Sequence, residues 1–237
     1  MKIAIIGAGN VGTNLHHALL QKGIRAELLS SHLKSFDVSD ADVCIYAVAD
    51  HAMQTVINRV HAPKALHLHT SGTIPMDVFG VDKPHAGVMY FFQSFSRQQL
   101  VDDWSNIPVF IEGRNIDDIA AIYSLAQNLT NRIYECTQHD RERLHIAGVF
   151  ANNYTNLMYR IAKEVLEGTQ IPFEALLPLI DQTAAKVHTI APRDAQTGPA
   201  QRGDEQVIKR HMEILAPTSY AELYQELAAL IEKARSR

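Results

Sequence analysis

Residues 145–153 read His-Ile-Ala-Gly-Val-Phe-Ala-Asn-Asn, so an imidazole and two adjacent amides stand in an otherwise apolar run. Such groups can move a proton or orient a polar atom. A neutral imidazole both donates and accepts, and a carboxamide does so without changing charge. At about 100° per residue on a helix, His145, Val149, Asn152 and Asn156 fall on one face and Asn153 lies to its side. The expectation is a helix face walling a cleft between domains, with His145 a proton donor and Asn152, Asn153 and Asn156 orienting substrate. The alternative is a set of amides bridging helices in a core, where each would need partners.

Three further stretches carry candidate groups. Thr70 and Ser71, in His69-Thr70-Ser71-Gly72, end a strand pattern. They are expected to donate hydrogen bonds to substrate or cofactor, or else to shape a hydroxyl turn. His85, in Lys83-Pro84-His85-Ala86-Gly87, is a second candidate proton donor or a structural histidine. Arg202 sits in Gln196–Asp204, a segment with two glycines and a proline, and is a candidate clamp for a substrate carboxylate. Asp204 reads as the N-cap of the helix that follows.

The elements that must position these groups divide the chain. Apolar strand patterns at residues 2–7, 25–30, 43–48, 65–69, 87–92, 109–111 and 132–136 alternate with helical patterns at 10–22, 50–60 and 116–129. That alternation predicts an α/β domain over residues 1–137 with a doubly wound, mainly parallel sheet. From 138 onward only helical periodicity remains, at 138–167, 173–190, 204–215 and 219–234. A second, all-α domain is therefore expected over 138–237, for substrate and for pairing with a second copy. In its last helix Leu223, Leu227, Leu230 and Ile231 form an apolar stripe. Such a small domain buries a limited fraction of its surface alone, which predicts a homodimer through it.

Gly7-Ala8-Gly9-Asn10-Val11-Gly12 follows the first strand and opens the first helix, the setting in which a G-x-G-x-x-G motif marks a dinucleotide site. Gly7 would permit the turn, Gly9 the approach of a pyrophosphate and Gly12 close helix–strand packing. An NAD site generally has an acid at the end of the second strand. Here that position reads Ser30-Ser31-His32, with Lys34 close by. Hydroxyls and a cation suit a 2′-phosphate, so NADP is expected ahead of NAD. Ala47, Val48 and Ala49, ending the 43–48 strand, should pass under the second ribose, and Asp50 reads as a helix cap.

Composition narrows the classes of function. A net charge of −4 supplies no basic field for nucleic acid. Twelve histidines and two cysteines show no zinc-type spacing, and no metal is expected. Cys44 and Cys136 read as buried free thiols in a reducing, cytoplasmic setting. The first residues do not read as a signal peptide, because Gly7, Gly9 and Asn10 break the apolar run. No apolar stretch approaches the roughly 20 residues of a membrane span.

Taken together, these motifs resemble a known group. The N-terminal half is similar to the NADP-binding domain of pyrroline-carboxylate reductases, β-hydroxyacid dehydrogenases, prephenate dehydrogenases and deazaflavin-dependent NADP reductases. Nearly the whole chain resembles the bacterial Rossmann-like oxidoreductases whose C-terminal half is a domain of unknown function. The resemblance rests on Ile6–Gly12, His69–Gly72, His85, Gln93–Ser96, Ile111–Gly113, Asn152–Asn153 and Thr197–Asp204. It implies a second domain like the C-terminal one of 6-phosphogluconate dehydrogenase, often the seat of a dimer. In β-hydroxyacid dehydrogenases a lysine stands three residues before the first of the two asparagines; Val149 occupies that position here, so that chemistry lacks its proton carrier. Relatives tend to have His-Pro where this chain has His85-Ala86. The reading is an NADP-dependent oxidoreductase acting on a small carbonyl, imine or hydroxyl carbon, with no nucleic-acid or membrane partner. Its rival is a non-catalytic dinucleotide sensor.

Overall fold

The structure is a computed structural model describing residues 1–235. Seven strands form one sheet: β1 (Ile3–Ile6), β2 (Ala26–Leu29), β4 (Val43–Tyr46), β6 (Leu66–His69), β7 (Ala86–Phe91), β8 (Val109–Gly113) and β9 (Ile133–Glu135). Two short strands, β3 (Phe36–Asp37) and β5 (Val60–His61), pair separately. The sheet order is β2-β1-β4-β6-β7-β8-β9. All neighbours are parallel except β7 and β8, whose antiparallel register runs from Gly87–Gly113 to Phe91–Val109. The chain is thus a Rossmann-type α/β fold.

The strands read as nearly continuous apolar runs because both faces of the sheet are covered. One face packs Ile3, Ile5, Ile45, Leu68, Met89 and Ile111 against α1 (Asn10–Gln21) and α3 (Ile116–Ala126). The other packs Ile6, Tyr46 and Ala86 against Phe36, Phe79 and α2 (Met53–Ile57). Between β1 and β4 the strand order reverses, since β2 lies on one side of β1 and β4 on the other. In open α/β sheets a ligand binds at such a reversal, outside the carboxyl ends of the strands.

The chain parts into two compact units after Tyr154, not after residue 137 where the strand pattern ends. Helix α4 (Gln138–Gly148) and a π-helical turn at Val149–Tyr154 belong to the first unit. The reason is Arg141, with no exposed surface, whose Nη1 donates to the carbonyls of Ser71 and Ile74 at 3.0 Å each. Its Nη2 pairs with Glu112 of β8 at 3.2 Å, so one side chain ties α4 to the sheet.

The second unit starts at Thr155 and is helical: α5 (Thr155–Val165), α6 (Leu177–Lys186), α7 (Pro192–Ala195), α8 (Pro199–Arg202), α9 (Glu205–Leu215) and α10 (Tyr220–Arg235). Asp204 caps α9, its Oδ1 accepting the Val207 N–H at 3.3 Å. Only two hydrophobic residues of this unit are buried among the described residues, Ala200 and Ala228. Leu179 and Leu230 are 65% and 62% exposed. No helix among the described residues is long and apolar enough to cross a membrane.

Candidate functional site

The glycine loop lies where β1 hands over to α1. Gly7 has φ 117°, a region that L side chains avoid, and its N–H donates to the Leu29 carbonyl at 2.8 Å. A Cβ at Gly7 would also run into the Ala47 carbonyl, so residues 47–48 press directly on the loop. At Gly9 the picture is open: a Cβ would meet only Ala47 O, at 4.0 Å. Gly9 is the N-cap of α1, its cap carries no side-chain hydrogen bond, and the first turn holds no acidic residue. The free N–H groups of a 12-residue helix therefore face unfilled space with their positive dipole end unopposed. That cradle fits the pyrophosphate of a dinucleotide.

Ser30 and Lys34 lie exposed, and Ser31 half-buried, in the loop after β2, adjacent to the glycine loop through the Gly7–Leu29 bond. Ser30 Oγ accepts the His32 N–H at 3.4 Å. No carboxylate stands among Ser30–Lys34. This arrangement fits a 2′-phosphate. Asp50 does not cap the following helix as expected; its Oδ2 accepts the Thr73 hydroxyl at 2.5 Å.

Beside the helix start lies a cavity of about 440 Å³ within the first unit. Asn10, Val11 and Thr70 line it from the strand ends, Tyr90 and Phe92–Phe95 from the end of β7 and the loop beyond, and His145, Val149, Asn152 and Asn153 from α4 and the π turn. Asn14 fixes the loop that follows this wall. Fully buried on α1, it donates to the carbonyls of Asn10 and Ser96 at 2.9 Å each and accepts the Val101 N–H at 2.9 Å. The 94–101 loop is thereby held against the glycine-loop helix.

Within the cavity His145 meets a residue that sequence reasoning missed. Tyr90 Oη lies 3.1 Å from His145 Nδ1. Burial pushes the Tyr90 phenol up to about 12, so it stays protonated and can either donate to the imidazole or accept from it. Gly72 makes this approach possible, because a Cβ there would stand 2.6 Å from His145 Nδ1. The period-two pattern of β7 did place Tyr90 opposite Met89 and Phe91, but an aromatic in a strand reads first as core.

The π turn alters the predicted helix face. With i→i+5 pairing the turn is wider than 3.6 residues, which brings Asn153 into the lining beside Asn152. Asn156 and Arg202 fall in the second unit, and neither is among the residues lining this cavity. Thr70 lines it, and its hydroxyl donates to the Tyr46 carbonyl at 3.4 Å.

Two expectations need correction. Ser71 is buried, and its Oγ accepts the N–H groups of Thr73 and Ile74 at 3.1 and 3.0 Å. It shapes the turn that Arg141 clamps, and its hydroxyl lies 3.4 Å from that of Thr73. His85 stands at the wrong end of the sheet. Its neighbour Ala86 is in register with His67, near the start of β6, whereas Thr70 follows the end of that strand. At 3.3 Å per residue the two levels are roughly 13 Å apart. His85 Nδ1 instead pairs with Asp118 at 3.0 Å, and Asp118 Oδ2 accepts the Ala86 N–H at 3.3 Å, joining the start of β7 to α3.

Among the described residues no group of histidines, cysteines and acids could hold a metal ion. Cys44 and Cys136 are free thiols, and burial pushes Cys44 up to about 12, which makes it inert.

A family model described as a domain of unknown function, DUF2520, matches residues 107–231, more than half of the chain. Among solved structures, a candidate NADP oxidoreductase from Bacteroides fragilis is 38% identical with a TM-score of 0.87, the match covering 98% of each chain. A protein from Thermotoga maritima is 18% identical with a TM-score of 0.78, over 99% of this chain and 100% of that one. A reductive aminase from Aspergillus terreus in complex with NADPH and ethyl levulinate is 12% identical with a TM-score of 0.72, over 98% and 93%. No curated protein matches.

Proposed function

Because the chain belongs to the family defined by the domain of unknown function DUF2520, and its fold continues along nearly the whole length of a candidate NADP oxidoreductase, we propose that it is an NADP-dependent oxidoreductase. It would move a hydride between the nicotinamide and a small carbonyl, imine or hydroxyl carbon. The observation that carries this reading is the cavity beside the open N-terminus of α1, where a proton-carrying pair and two amides converge.

The dinucleotide, when bound, supplies or takes up the hydride. The chain does the rest. The first-turn N–H groups of α1 would hold the pyrophosphate, Ser30, Ser31 and Lys34 the 2′-phosphate, and Ala47–Ala49 would support the second ribose. In the reducing direction the substrate carbon gains the hydride and its oxygen or nitrogen gains a proton from the imidazolium of His145. Tyr90 Oη accepts from Nδ1–H throughout, so the ring keeps one orientation while Nε2–H is the proton given up. Asn152 and Asn153 orient the polar atom that receives the proton. A lysine at position 149 is not needed for this route. The helical unit, poorly buried on its own, is assigned to pairing with a second copy.

Fluorescence titration tests the cofactor half of the proposal. NADPH should bind about tenfold or more tightly than NADH, corresponding to at least one charge-assisted contact to the 2′-phosphate. Ser31→Asp should erode that preference. Equal affinities would remove the argument from Ser30–Lys34. No binding of either nucleotide would overturn the oxidoreductase reading.

A further inference from the structure

The cavity also limits what can be reduced. Fifteen residues line it, and none is a lysine, arginine, aspartate or glutamate. Its walls are aromatic on the β7 side: Phe92 meets Tyr90 edge-on at 6.1 Å, and Phe95 stacks on Trp104 at 5.0 Å. Its polar groups are neutral amides and hydroxyls together with His145. The nearby cation, Arg141, has no exposed surface and is held by two carbonyls and Glu112, so its charge is neither accessible nor unbalanced.

A carboxylate or phosphate brought into such a space would find no lysine or arginine in its lining, and pairing with the His145 imidazolium would withhold the proton that the reduction needs. An apolar ring or chain would exchange water for aromatic surface at no such cost. Building on the reduction reading above, we propose that the substrate of this pocket carries no anionic group: it is a carbonyl or imine on an apolar body. The aromatic walls take the body, and Asn152, Asn153 and the Tyr90–His145 pair surround the reacting atom. Arg202 then has no carboxylate to clamp at this pocket.

The test uses the full chain saturated with NADPH, whose nicotinamide carries no charge, with cyclohexanone and its ring-carboxylated counterpart as probes, followed by saturation-transfer NMR and titration. The uncharged ketone should bind about tenfold or more tightly, the scale expected for an anion that gives up part of its hydration and finds no lysine or arginine. Gln93 lines the cavity from an exposed position. Gln93→Arg should therefore bring a cation to the lining and raise the affinity for the carboxylated ketone. Equal or tighter binding of the carboxylated probe by the unaltered protein overturns the proposal. So does binding of neither probe to protein that holds NADPH. A carboxylate preference abolished by Arg202→Gln would move the anion clamp to the helical unit. If NADPH itself fails to bind, the oxidoreductase reading falls and this inference with it, a result distinct from a reversed probe preference.

Discussion

The chemistry of this protein turns on which polar side chains are free and which are already committed. Ser71 and His85 looked available in sequence, yet each is consumed by local structure. A sequence shows residue type and position but not the partner a side chain finds across the sheet. His145 and Asn152 were legible because polar groups in an apolar helical run are costly unless they touch something. Tyr90 was not, because an aromatic in a strand pattern is usually packing. If His145 carries the proton, His145→Ala should remove most of the reduction rate, and Tyr90→Phe should lower it by less while leaving NADPH affinity unchanged. An unchanged rate in both variants would remove the pair from the mechanism. Asn152 is exposed, so Asn152→Ala should leave the melting temperature nearly unchanged and remove most activity. A large loss of stability would mark it as a strut instead.

Two other histidines set the pH range of the fold rather than its reaction. His67 is buried between the Tyr46 hydroxyl and the Ala62 carbonyl and is pushed down to about 4 by burial. His69, buried and near the Arg141 charge, is pushed down to about 3. Both folded-state values lie below the unfolded value of about 6.5. Their stabilising contribution is therefore complete above that value and lost as pH falls toward 4 and 3. The unfolded chain binds up to two more protons in this window, so unfolding free energy should drop by as much as about 2.7 kcal/mol per pH unit. Urea titrations between pH 7 and 4 measure the slope. His67→Gln should flatten it; a slope unchanged in that variant would count against this account.

At the level of elements, the sheet was readable and its attachments were not. Seven apolar runs separated by helical patterns predict the seven strands, and a G-x-G-x-x-G after the first run predicts the helix start that faces the ligand. The antiparallel turn from β7 to β8 left no such trace, since an apolar run carries no direction. The π turn at Val149–Tyr154 was equally silent; a 3.6-residue period drawn through it puts Asn153 to one side of the face it joins. The boundary at Tyr154 depends on Arg141, and an arginine in the polar first turn of a helix reads as surface. Arg141→Met should remove the donors of the Ser71 and Ile74 carbonyls and leave Glu112 without its partner, costing about 3 kcal/mol or more. The glycine loop is not part of that clamp, so NADPH affinity should change less than stability does. Chemical denaturation beside NADPH titration separates the two, and a stability loss under about 1 kcal/mol would show that α4 is held by other contacts.

For the whole molecule, the contrast between the two units carries the argument. The first has two apolar clusters, one on each face of its sheet. The second, from Thr155, buries only Ala200 and Ala228 among its described hydrophobic residues. Helices with apolar stripes and no core of their own are unstable in water unless something covers them. Leu179, Val187, Ile214 and Leu230 are exposed, and Leu223, Leu227, Tyr220 and Ile161 line an apolar groove of about 560 Å³. A second copy meets this need symmetrically, since it brings the same uncovered stripes. The protein is therefore expected to be a dimer at micromolar concentration in light scattering coupled to size exclusion. Leu230→Glu places a charge on a side chain that is 62% exposed, so it should cost the isolated fold little. In a dimer interface the same charge would be buried without a partner, and dissociation should become measurable, with affinity weakened at least tenfold. NADPH should still bind the resulting monomer, because the glycine loop belongs to the other unit. A wild-type monomer at these concentrations, or a dimer indifferent to Leu230→Glu and to Leu179→Glu alike, would mean that the apolar stripes serve something other than self-association.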